Sequence, residues 1–158
     1  RTVEHVLSKT KYSQYTVTPI NLVPMCGNCN LAKGTLLNGF HPYFESFSSL
    51  EGIFFQFDFT NPKQIIAVEY SDNCPIKLIA YMQEYKMDEF LELKANTKIK
   101  KLLGNKQVKK IPLQGLSEMI DKTLSNQVVN ELERWEEIYF CCLKAVLNKL
   151  FTYIQSQP

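Results

Sequence analysis

Glu4 and His5 stand side by side, Asn21 follows sixteen positions after His5, and Asn30 nine positions after that, with Lys33-Gly34 closing the run. A neutral imidazole near pH 7 is basic enough to take a proton from water, which makes His5 a candidate general base. Carboxylate and amide oxygens suit Mg²⁺ or Mn²⁺ better than zinc, so Glu4 and Asn30 are candidate ligands of a hard cation. A cation beside an activated water polarises the bond under attack and stabilises the departing oxygen. Strand alternation sends the neighbours Glu4 and His5 to opposite faces. They serve one site only if the strand twists or ends there, or if Glu4 reaches round.

Cys26 and Cys29 form a Cys-x-x-Cys pair just before Asn30. Two thiolates at that spacing are either half of a tetrahedral zinc site or a packing pair. Lys9, Lys11 and Lys33 surround these residues and are placed either for phosphate contact or as ordinary solvated surface. His41, in "FHPYF", is read as a packing residue, and Cys74, Cys141 and Cys142 as buried thiols.

Short strands must position these groups. "TVEHVL" is a β-type run, a polar loop follows, and "INLVPM" is a second strand running into a helix from Cys29 to Lys33. This ββα unit is too small to stand on apolar burial alone, so a metal or an abutting domain must support it. "GIFFQFDFTNPKQIIAVEYSD" reads as a hairpin with Phe55, Phe57 and Phe59 on one face and Asn61-Pro62 at the turn. Beyond Pro75 the period becomes helical through Met87, Phe90, Leu91, Ala95, Ile99 and Leu102. A longer stripe runs from Val128 and Leu132 through Trp135, Tyr139, Cys142, Val146, Leu150 and Tyr153, with Gly104 and "IPLQG" as separators. The fold class is α+β: residues 1–45 as the ββα unit, then 46–158 as a hairpin with a mainly helical accessory portion.

The chain has 158 residues, is 45% hydrophobic and carries a net charge of +2, so whole-molecule charge identifies no partner. Seven of its eighteen basic residues fall between Lys94 and Lys110, a strip without acids or aromatic residues, which is either a solvated helical face or a surface for backbone contact, not one for base stacking. Five cysteines, two of them adjacent, are not a disulfide framework and fit a reducing cytoplasm. No apolar run approaches the twenty residues of a membrane span. The first residue is Arg rather than Met, as in a fragment of a longer chain.

The order Glu4-His5, Asn21, Asn30, Lys33-Gly34 resembles the HNH endonuclease family, whose ββα-metal core reads acid-His, then Asn, then His or Asn. "EHVLSKTKY", "NLVPMCGNCNLAKG" and "HPYF" are similar to a subgroup of bacterial HNH proteins found in phage-defence loci. The likeness covers residues 3 to 44 and is only general afterwards. It implies a DNA endonuclease in which His5 activates water, Asn21 braces the loop carrying the base, and Asn30 joins Glu4 on Mg²⁺ or Mn²⁺. It also implies a second Cys pair upstream that would complete a structural zinc with Cys26 and Cys29. A regulatory partner such as an ATPase of a defence system would restrain cleavage. The rival expectation is a non-catalytic zinc-knuckle module that binds DNA or protein. An RNA nuclease would share the chemistry and differ only in substrate.

Overall fold

The computed structural model describes residues 2–25, 27, 31, 52–129 and 134–157, without the side chains of 126–129 and 134. Cys26, Cys29, Asn30, Lys33 and His41 lie outside the described residues, as do Leu132 and the side chain of Val128. The chain divides into two compact units, residues 1–52 with 72–90, and residues 53–71 with 91–158. Among the described residues it is an α+β protein with two antiparallel two-stranded sheets and five helices beyond residue 75.

In the first unit, β1 (Thr2–His5) pairs antiparallel with β2 (Leu22–Met25) in the register Thr2↔Met25, Val3↔Pro24, Glu4↔Val23, His5↔Leu22. Pro24, which has no N–H, is tolerated because a two-stranded sheet has no central strand. Both strands are shorter than the β-type runs that announced them. The polar loop between them is organised by single 3-10 turns at Ser13–Tyr15 and Pro19–Asn21. Gly27 and Leu31 have helical backbone.

Helix α1 (Ile76–Glu84) begins after Pro75, whose carbonyl accepts from the N–H groups of Leu78 and Ile79. Its buried face is Leu78 and Met82, one turn apart, followed by buried Tyr85. Lys86, at φ +51°, ends the helical path in a left-handed step. Gly52, at φ +88°, lies against Cys74 so closely that an added Cβ would sit 2.6 Å from the Cys74 Cα. Only glycine fits there.

The second unit contains the expected hairpin, β3 (Ile53–Phe57) with β4 (Ile66–Tyr70), registered from Ile53↔Tyr70 to Phe57↔Ile66. The turn is wider than Asn61-Pro62 alone. Asp58 Oδ1 accepts from Thr60 N–H, and Asn61 Oδ1 from the N–H groups of Lys63 and Gln64. Helix α2 (Met87–Gly104) covers the open edge of β4 with two side chains one turn apart. Buried Asn96 accepts from Ile65 N–H and Ile66 N–H at 2.8 and 3.1 Å and donates to Ile66 O at 2.7 Å. Glu92 accepts from Val68 N–H at 2.9 Å. Strand groups that could template aggregation are satisfied by a helix instead.

Phe55 packs edge-on to Trp135 and Tyr139, while Phe57 and Phe59 are half-buried beside Tyr139 and Tyr153. The long C-terminal stripe is not one helix. It is divided among α3 (Leu113–Val129), α4 (Arg134–Ala145) and α5 (Leu147–Ser156), and Val146 breaks the path at φ −106°, ψ 17°. The break re-aims the buried face, so that Tyr139 and Leu143 serve α4 while Leu150 and Ile154 serve α5. Cys142, Val146 and Tyr153, expected in the core, are only half-buried, and Cys141 is exposed. "IPLQG" does not separate helices throughout, because α3 already begins at Leu113. No helix among the described residues is long and apolar enough to cross a membrane.

Candidate active site in the first hairpin

β1 ends at His5, and the chain beyond it is held by one side chain. Asn21 closes the turn Pro19–Asn21 and is only 3% exposed. Its backbone carbonyl accepts from Val6 N–H at 3.0 Å, continuing the β1–β2 ladder by one step. Its Oδ1 accepts from Leu7 N–H at 2.6 Å, and its Nδ2 donates to Leu7 O at 3.2 Å and to Tyr15 O at 3.0 Å. A carboxamide carries the donor and acceptor of a peptide group, so Asn21 pairs with Leu7 as another strand residue would. The third bond ties in Tyr15, on the far side of the loop.

The next peptide holds the candidate base. His5 Nε2 lies 3.0 Å from the carbonyl oxygen of Thr16. A carbonyl only accepts, so Nε2 carries the hydrogen and Nδ1 is the basic nitrogen of the neutral ring. Asn21 fixes the peptide of Tyr15, Thr16 follows it directly, and Thr16 fixes the tautomer and plane of His5. His5 and Asn21 are therefore linked through two adjacent carbonyls. A residue list could not reveal this link, because both groups belong to the backbone.

Glu4 faces the other way. It is 7% exposed and opposite buried Val23, whereas His5 is opposite half-buried Leu22. This is the alternation expected of neighbours, and the strand ends at the second of them. The Glu4 carboxylate, one residue from His5, is a hard oxygen donor of the type that fits Mg²⁺ or Mn²⁺. Among the described residues no group of three or more His, Cys, Asp or Glu side chains is placed to hold a metal ion.

No family model, curated protein or solved structure matches the chain.

Lys9 and Lys11 are exposed on a turn in which the Ser8 carbonyl accepts from Lys11 N–H at 3.1 Å and Tyr12 N–H at 2.8 Å. Much of the basic strip of α2, by contrast, is occupied within the second unit. Lys98 pairs with Glu136 and lies 4.9 Å over the Phe140 ring, and Lys94 lies 5.5 Å over Trp135. These ammonium groups face aromatic rings supplied by a distant helix, a pairing that the local sequence could not announce.

Proposed function

We propose that the chain is a metal-dependent DNA endonuclease of the HNH type, in which His5 removes a proton from the water that attacks a phosphodiester. The observation that carries this reading is the chain of bonds from Asn21 through the Tyr15–Thr16 carbonyls to His5 Nε2. A general base needs a fixed tautomer and a fixed plane, and this arrangement supplies both. Glu4, reaching round from the opposite face where β1 ends, would join Asn30 on Mg²⁺ or Mn²⁺, and the ion would stabilise charge on the phosphate and the leaving oxygen. Exposed Lys9 and Lys11, with Lys33, would meet backbone phosphates. A structural zinc on Cys26 and Cys29, a role in antiviral defence and a restraining ATPase partner belong to the same reading.

The test is conversion of supercoiled plasmid to nicked circle with Mg²⁺ or Mn²⁺, wild type beside His5→Ala. Loss of a positioned base is expected to slow nicking by about 100-fold or more. Nicking by His5→Ala at the wild-type rate would refute the assignment of the base. DNA binding by both proteins, with nicking by neither, would favour the binding-module alternative.

A further inference from the structure

Two clefts in the second unit meet at one tyrosine. The larger, about 590 Å³, lies between the β3–β4 turn and α5 and has Phe57, Phe59 and Tyr153 among its walls. The Phe59 and Tyr153 rings are 5.2 Å apart with their planes only 31° from parallel, and Phe57 stacks on Phe59 at 6.1 Å. The smaller cleft, about 370 Å³, takes Tyr153 as a wall as well, together with Lys100, Lys109 and Gln157. Both volumes fall in the range of small-ligand sites.

The charged groups differ between the clefts: the aromatic one carries Asp58 and Lys149, the other Lys100 and Lys109. Asp58 lies on the aromatic cleft, and hydrogen bonds from the Thr60 hydroxyl and N–H hold its carboxyl below the usual range, so it stays ionised. Asp58 offsets the charge of Lys149, so the aromatic cleft has no net positive charge to offer an anion. Two lysines and no acid line the other cleft. Lys100 Nζ donates to Lys63 O at 3.0 Å, a bond that uses one of its three donors and sets the ammonium at the cleft wall. An aromatic platform beside a cationic hollow, joined through a shared ring, matches a planar base carrying a phosphate.

We propose that these adjoining clefts bind one nucleotide unit, with the base against Phe59 and Tyr153 and the phosphate against Lys100 and Lys109. The unit is either a free mononucleotide or one residue of a single strand. The site uses no residue of the first hairpin, so its failure and that of the nuclease reading are separable.

Fluorescence anisotropy with etheno-AMP on the whole chain tests the site, with AMP, adenosine and a short oligo(dA) as competitors. AMP should compete at least about tenfold better than adenosine, because one charged contact is worth about that factor. Lys100→Ala, at an exposed position, should weaken AMP about tenfold and leave adenosine unchanged. Tyr153→Leu should weaken both, and Tyr153→Phe should restore both. An oligo(dA) that competes better than AMP at equal salt identifies a strand as the ligand, and the reverse order a free nucleotide. Equal competition by AMP and adenosine, no binding of etheno-AMP, or indifference to Lys100→Ala in a folded protein would overturn the proposal.

Discussion

Replacing Asn21 with Ala separates the proposed brace from the proposed base. The substitution removes three hydrogen bonds, to Leu7 N–H, Leu7 O and Tyr15 O, while the backbone bond from Val6 N–H to Asn21 O remains. Each such bond is worth about 1 kcal/mol net, so holding the loop against β2 should weaken by about 3 kcal/mol. Converted at about 1.4 kcal/mol per factor of ten, that is roughly 100-fold faster amide exchange where the clamp operates. Hydrogen–deuterium exchange resolved by NMR should show this at Leu7 and spread to Thr16 and Thr18, whose N–H groups close the following turns. Amides of β3 and β4 serve as the internal reference. The His5 ring should lose its single tautomer at the same time, which ¹⁵N shifts of the imidazole report directly. Unchanged exchange at Leu7, or a ring that keeps Nε2–H in the variant, would refute the idea that Asn21 positions His5.

Four further outcomes follow from the packing. Gly52→Ala meets both a left-handed backbone and the Cys74 backbone at 2.6 Å, and should lower stability by about 2 kcal/mol or more in urea unfolding. Asn96→Ala leaves the N–H groups of Ile65 and Ile66 without acceptors and should cost about 3 kcal/mol. Burial raises the Cys74 and Cys142 thiols and the Tyr139 phenol above their usual values. The folded state then keeps protons that the unfolded chain releases. Its stabilisation is complete below the ordinary thiol range and declines above it, so the urea midpoint should fall from about pH 8 to about pH 10. Iodoacetamide mapped by mass spectrometry should label exposed Cys141 before Cys74 or Cys142.

Local pattern announced the local elements. Alternating Phe residues gave β3, the apolar run "INLVPM" gave β2, and the period through Leu91, Ala95 and Ile99 gave α2. Sequence and structure part where tertiary packing decides. No Pro or Gly marks the break at Val146, because re-aiming two helices onto a sheet is a property of the sheet's position. The spacing of Tyr153 places it in the core, yet it is half-buried and lines two clefts, with Phe59 of the β3–β4 turn against its ring. At the candidate site, Glu4, His5 and Asn21 were evident as residue types. The partners that give them geometry, the carbonyls of Tyr15 and Thr16, have no side-chain signature.

Asn96 shows the same limit from the other side. It stood unmarked in a helical stripe, yet it does for β4 what Asn21 does for the loop after β1. Each amide satisfies both the N–H and the C=O of one residue, Leu7 or Ile66, and then makes a further bond, Asn21 to Tyr15 O and Asn96 to Ile65 N–H and to Glu92 O of its own helix. Both hairpins are two-stranded and marginal by themselves, so each needs its ladder continued by something other than a third strand. A carboxamide can continue it because it both donates and accepts, whereas an ionised carboxylate only accepts. Asn→Asp, the smallest change of shape, is therefore the severe test at either position. It keeps the bond to Leu7 N–H or Ile66 N–H and turns the bonds to Leu7 O, Tyr15 O and Ile66 O into repulsions. Asp at position 21 should release the His5 loop at least as far as Ala does. An Asp tolerated there without loss would mean that the amide's two-sided bonding is not what holds the loop.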